Sequence, residues 1–281
     1  MRKSFSRKLF LAVNTVFLLG FSALILIPLW MLVLTSLSPD RVAAEYGFVL
    51  VPMGIEFDSY RRILSSNYMG AFANSIYVTI VGTGVALLLT TMMAYGLSQK
   101  QLMFRKIIMG GILLNMIVNT GMVPRYMVIR NLGMLNSYAA IIIPLAISSY
   151  NLILMRNFFQ SLPESLIESG RLDGCSEMTI LLRIVLPISI PIIAAITLFV
   201  SVSHWNRYFE VILYITDSRK YTIQVLLRQL IFQDTSDTGI ALQYNNFKMA
   251  VMLMAMLPML VLYPFIQRHF ITGIMLGSVK E

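Results

Sequence analysis

Six stretches of this chain run for 18 residues or more without Asp, Glu, Lys or Arg: Leu9–Pro39, Ile63–Gln99, Ile107–Pro124, Asn131–Met155, Ile184–Asn206 and Met249–Gln267. A helix of about 20 apolar residues crosses the hydrocarbon core of a bilayer. The stretches are continuously apolar and do not alternate, so they predict helices rather than barrel strands. Composition agrees. Hydrophobic residues make up 57% of the 281 residues and charged residues 12%, against roughly 45–50% and 25% in soluble domains. The expected architecture is all-α: one domain, residues 1–281, with six membrane-spanning helices near 10–37, 72–98, 107–124, 135–156, 186–206 and 248–267.

Basic residues in the connections set the orientation. With the N-terminus inside, segments 1–8, 100–106, 156–183 and 268–281 carry 12 Lys and Arg and 5 acids, and the outside segments carry 10 and 8. The bias is sharpest before the first span, where Arg2, Lys3, Arg7 and Lys8 stand together. Both termini are therefore expected in the cytoplasm. The N-terminal pattern imitates a secretory signal, but its apolar core far exceeds the roughly 7–15 residues of such a signal. An uncleaved first span is the reading adopted. A net charge of +9 suggests nucleic acid at first sight, yet the basic residues are scattered around apolar runs, the pattern of membrane-surface charge. One Cys and two distant His, His204 and His269, exclude a disulfide framework and leave little room for a metal centre.

Polar residues inside spans are costly in lipid and informative for that reason. Asn115 and Asn119, four apart, are expected on one face of the third helix. Ser148, Ser149, Tyr150 and Asn151 cluster in the fourth, and His204, Trp205 and Asn206 end the fifth. Such groups either hydrogen-bond neighbouring helices or line a polar pathway. Gly82, Gly84 and the threonines beside them read as a close helix–helix contact. No span holds a carboxylate or a Lys, which argues against proton- or sodium-coupled transport. The long outer segment Arg207–Lys248 is rich in aromatic residues, with a short helix expected over Thr222–Phe232. It either caps the helix ends or acts in function.

The inside segment 157–185 is the unusual one. Ser161, Pro163 and Glu164 predict a helix start, with Ser161 as N-cap and Glu164 closing a capping box. Leu162, Leu166 and Ile167 then give an apolar side to a helix of about ten residues, too short to be stable alone. Gly170 allows a close approach and Gly174 a turn. Asp173 or Ser176 can cap a second short helix. Two helices projecting from the membrane with an apolar side point to a docking element for a soluble protein.

Here the chain resembles a known family. Permease subunits of ATP-binding-cassette importers carry the signature E-A-A, three residues, G, nine residues, I, one residue, L-P. Glu168-Ser169-Gly170 stands for E-A-A, Gly174 follows after three residues, Ile184 after nine more, and Leu186-Pro187 after one. Ser169 and Gly170 depart from the alanines but stay small. Arg171-Leu172-Asp173-Gly174, Asn74-Ser75, Asn131-Leu132-Gly133, Arg156-Asn157-Phe158 and His204-Trp205-Asn206 are similar to the carbohydrate-uptake branch. Within that branch the chain looks most like the maltose-permease second subunit and the Gram-positive permeases for aldouronate or pectic oligosaccharides. Cys175 stands where such permeases carry Ala and reads as a packing residue.

The resemblance implies a type I importer permease in the bacterial plasma membrane. It would pair with a second, related permease, with two ATPase copies below and an extracellular binding protein above. ATP and Mg would be bound by the ATPase partners and no cofactor by this chain, which has no phosphate-cradling G-x-x-x-x-G-K-[ST] loop and is expected not to be an enzyme. The ATPase-docking set is then Leu162, Glu164, Leu166, Ile167, Glu168, Ser169, Gly170, Asp173, Gly174, Leu186 and Pro187. The candidate substrate path is Asn115, Asn119, Tyr150, Asn151, His204, Trp205 and Asn206. The alternatives are a permease for a non-sugar solute, a homodimer in place of the heterodimer, and a secondary transporter.

Overall fold

The computed structural model describes residues 5–118, 120–233 and 245–278. In chain order its helices are α1 (Phe5–Leu37), α2 (Asp40–Tyr46), α3 (Asp58–Leu64), α4 (Asn67–Ser98), α5 (Arg105–Ile117), α6 (Met122–Asn131), α7 (Ala139–Ile142), α8 (Ser149–Ser161), α9 (Glu164–Leu172), α10 (Glu177–Ile180), α11 (Leu186–Ile188), α12 (Ile190–Trp205), α13 (Phe209–Tyr214), α14 (Ile223–Gln233) and α15 (Asn245–Ser278). A 3₁₀ turn, Ile143–Leu145, extends α7, and a π-helical segment, Leu181–Val185, joins α10 to α11. Among the described residues there is no strand.

Three helices are each long and apolar enough to cross a membrane: α1 over Arg7–Leu37, α4 over its whole length, and α15 over Asn245–Pro264. The other three apolar stretches are divided. The third, expected as one helix, is α5 followed by α6. The backbone is already extended at Val118, and Gly121 with φ +44° starts α6, with Pro124 in its first turn. The fourth bends by 47° between the α7 turn and α8. There Pro144 lies in the 3₁₀ turn, and Ser148 caps α8 by accepting from the Asn151 N–H. The fifth bends by 84° between Ile188 and Ile190. Pro187 and Pro191 cannot donate to the carbonyls four residues back, and prolines and π segments are the usual causes of sharp kinks.

The described residues fall into two compact units, Met1–Met69 with Leu227–Met256, and Gly70–Leu226 with Leu257–Glu281. In the first, polar groups at the end of α1 are buried and paired. Thr35 Oγ1 accepts from the Val49 N–H, Ser36 Oγ bonds the Tyr60 hydroxyl, and Asn246 Nδ2 donates to the Ser38 carbonyl and to Asp40. Phe10, Val16, Phe17 and Leu24 of α1 are exposed, which suits lipid or a partner chain rather than water.

The second unit has two buried clusters, both along α4. Tyr95, Leu152, Met155, Phe159, Ile180 and Ile196 join the Ser98 half of α4 to α8, α10 and α12. Val78, Ile129, Ile141, Val211, Tyr214 and Val225 join its other half to α6, α7, α13 and the start of α14. In lipid such clusters are held by close packing and dispersion rather than by escape from water. One approach is very close: a Cβ on Gly82 would lie 2.6–2.8 Å from the ring of His204.

Candidate functional site

The loop between α8 and α12 is built by its turn residues. The expected capping box does not form. Ser161 ends α8, its Oγ donating to the Phe158 carbonyl, and Pro163 precedes α9 without a side-chain cap. Proline fixes an extended approach, which leaves Glu164 at the first helical position, where the helix dipole favours a carboxylate. Glu164 pairs instead with Lys100 at 2.6 Å. Asp173 closes α9, its N–H bonded to the Ser169 carbonyl, and Gly174 follows with φ +76°. Of the two candidate caps for the second helix, Ser176 takes the role, its Oγ accepting from the Thr179 N–H at 3.3 Å.

The docking set divides between two faces of α9. Leu162 and Ile167 pack against the Tyr95 cluster, and Gly170 is buried. The expected outward apolar side of Leu162, Leu166 and Ile167 is therefore corrected: two of the three anchor the helix to this chain, and only Leu166, 39% exposed, stays accessible. Ser165, Glu168, Ser169 and Leu172 recur at i, i+3, i+4 and i+7 and are all exposed, forming one outward face. Leu172 is 88% exposed. Its place next to the Asp173-Gly174 turn hides it in the sequence. Asp173 and Gly174 are exposed at the tip, Leu186 packs against the inner cluster, and Pro187 lies at the kink. Gly170 has a steric reason of its own, since a Cβ there would meet Ile184 Cδ1 at 3.0 Å and Ile180 Cγ1 at 3.2 Å.

These glycines give opposite expectations. Gly174→Ala meets no side chain but forces a Cβ into the left-handed region, at a cost of about 1–2 kcal/mol. Gly170→Ala presses on Ile184 Cδ1 and on Ile180 Cγ1, which must give by a few tenths of an ångström, and helix propensity offsets this by about 1 kcal/mol. Thermal unfolding of the purified protein should fall for Gly174→Ala and stay near wild type for Gly170→Ala.

A hydrogen-bonded network ties the loop to α4. Glu177 accepts from the Tyr95 hydroxyl at 2.6 Å through one oxygen and from Arg171 Nε at 2.7 Å through the other. Arg171 Nη2 donates to Gln99 Oε1 at 2.7 Å. The bonds from Arg171 and then from Tyr95 hold the Glu177 carboxyl below its ordinary range. Its stabilising charge is thus complete above that range and is lost as pH falls through the lowered value. No sequence pattern marks this network, because its four residues are non-adjacent and individually ordinary in type.

Of the candidate path residues, Asn115 meets the start of α8, where Tyr150 and Asn151 follow Ser149. Asn115 is exposed and its Nδ2 donates to Ser149 Oγ at 3.0 Å. Asn119 lies outside the described residues, and α5 ends at Ile117, so the two do not share one described helix. Tyr150 and Asn206 are exposed, and Asn151 is buried. His204 and Trp205 are buried, His204 against Gly82 and Trp205 edge-on to Phe72 at 5.7 Å. At the other end of α4, Asn74 Nδ2 donates to the Arg219 and Tyr221 carbonyls at 2.8 and 3.0 Å, and Ser75 Oγ accepts from the Ile223 N–H at 2.8 Å. The helix expected over Thr222–Phe232 is present as α14.

Known proteins match over nearly the whole chain. A family model described as "Binding-protein-dependent transport system inner membrane component" matches residues 107–275. The polygalacturonan/rhamnogalacturonan transport system permease protein YtcP of Bacillus subtilis (strain 168) is 40% identical over 94% of this chain and 96% of its own. The sn-glycerol-3-phosphate transport system permease protein UgpE of Salmonella typhi is 29% identical over 93% and 94%. A chain of a crystal structure of a bacterial ABC transporter involved in the import of the acidic polysaccharide alginate superposes with a TM-score of 0.89 at 30% identity, over 96% of this chain and 99% of that one.

Proposed function

This chain belongs to the inner membrane components of binding-protein-dependent transport systems, and from that premise we propose that it serves an importer of acidic polysaccharide fragments. Its fold is that of an ABC importer permease, and its place is the bacterial plasma membrane. Permeases of this family are non-catalytic, and hydrolysis of ATP belongs to a separate subunit. The solute class rests on two similar proteins, a polygalacturonan/rhamnogalacturonan transport permease and a chain of an alginate importer.

The docking role rests on one observation: Ser165, Glu168, Ser169 and Leu172 make an outward face on a helix whose opposite face is anchored in the chain's own core. In this reading the face docks on an ATPase subunit that holds ATP and Mg. The N- and C-termini lie in the cytoplasm, a second related permease completes the path, and the outer segment meets the binding protein.

Purification of the intact complex with its subunits identified tests the assembly. A second permease sequence and two ATPase copies are expected, and a transport-competent complex with this chain as its sole permease would overturn the heterodimer. Uptake competition tests the solute. Oligogalacturonate should compete, whereas competition by sn-glycerol-3-phosphate alone would favour the second reading that the UgpE likeness supports. Asn115→Leu removes an exposed amide bonded to Ser149. It should lower the transport rate or shift chain-length preference severalfold, about the value of one hydrogen bond, while assembly on size-exclusion chromatography persists.

A further inference from the structure

We infer that α4 is the transmission rod of this permease, latched to the docking loop at one end by Tyr95, Gln99, Arg171 and Glu177 and to the outer segment at the other by Asn74 and Ser75. The inference deepens the docking role and rests on it. Three observations support it.

The first is continuity. α4 runs unbroken for 32 residues, about 48 Å at 1.5 Å per residue. The third, fourth and fifth apolar stretches are each split, and α1 and α15 contain prolines, at Pro28 and at Pro258 and Pro264. α4 contains none. A helix with every turn bonded moves as one body, whereas a kinked one absorbs displacement at the kink.

The second is the inner latch. Arg171 closes the C-terminal turn of α9 and Glu177 opens α10, so the pair clasps the Gly174 turn from both sides. Both carboxylate oxygens are used, one by Arg171 and one by the largely buried Tyr95 of α4. Gln99 takes a second donor of the same guanidinium. At the opposite end of α9, Glu164 is paired with Lys100. The docking helix is thus tied at both ends to residues 95–100, and a push on Glu168 or Leu172 passes into α4.

The third is the outer latch. Asn74 holds two carbonyls of the outer segment, and Ser75 holds the first N–H of α14. These contacts join positions almost 150 residues apart in sequence, and they seat the outer segment on the same rod.

The test uses the complete complex in liposomes with its binding protein. It reads how far loaded binding protein stimulates ATP hydrolysis. Arg171→Ala, Glu177→Ala and Asn74→Ala should each cut stimulation by about tenfold, with assembly and unstimulated hydrolysis unchanged. The reversed pair Arg171→Glu with Glu177→Arg should recover most of it, which a merely structural loss would not. Wild-type stimulation in the single variants, alongside loss in Glu168→Ala, would overturn the rod and leave docking intact. Wild-type stimulation in Glu168→Ala as well would remove the docking role and the rod with it. A second readout covers poorly assembling variants. Spin labels on cysteines placed at Met178 and Gln101 in a Cys175→Ser background should keep one separation between nucleotide-free and ATP-bound complexes. A separation that changes with ATP would overturn the rod.

Discussion

Ile167→Pro and Glu168→Ala should each abolish uptake, by about a hundredfold or more, while the membrane helices stay folded. The two act differently. Proline at 167 removes an interior N–H of α9, clashes with the preceding turn at a cost of about 3 kcal/mol, and takes away a side chain that packs on the inner core. Glu168 is exposed and makes no ion pair among the described residues, so its loss should cost the fold no more than about 0.5 kcal/mol. Whatever Glu168→Ala changes must therefore lie in what the outward face meets. Uptake into vesicles and thermal unfolding, measured together, check the pair. The expected result is lost uptake for both, with unfolding shifted only in Ile167→Pro. Normal uptake by Glu168→Ala would contradict the docking face.

Gly82→Ala should destabilise the permease strongly for so small a change. The added methyl would sit 2.6–2.8 Å from three atoms of the His204 ring, which is buried. Overpacking of this kind costs about 1–3 kcal/mol, or roughly 2–4 °C per kcal/mol in a chain of this size. Gly84→Ala, two residues along the same helix, meets nothing within 4 Å and should be neutral or slightly stabilising. The double variant Gly82→Ala with His204→Ala should recover most of the loss, because the clash needs both side chains. Melting temperatures of the four proteins in detergent decide it. Equal effects at Gly82 and Gly84 would mean the close approach is not there.

Legibility followed the range of the physics. The spans could be read because lipid imposes one uniform demand over some twenty residues. Gly174 could be read because a turn with φ +76° leaves glycine as the easy choice. The signature spacing from Glu168 to Pro187 located the loop. Facing was harder. Leu162 and Ile167 are apolar like any docking residue, and only the position of the inner core tells that they are inward anchors. The Ser161 box failed because Pro163 two residues on set a different start for α9. Breaks within the third, fourth and fifth stretches were hidden because charge-free length does not report helix continuity. Gly121 with Pro124, Pro144, and Pro187 with Pro191 carry that information. His204 packs against Gly82, more than a hundred positions away. No short-range pattern records such a contact.

Reconstitution with and without this chain tests the central claim most directly. Liposomes should hold the partner permease, the ATPase and internal ATP, with binding protein and labelled oligogalacturonate outside. The account predicts ATP-dependent uptake that requires wild-type chain and vanishes with Glu168→Ala. Uptake that proceeds without ATP, or that is unchanged when this chain is omitted, would contradict it.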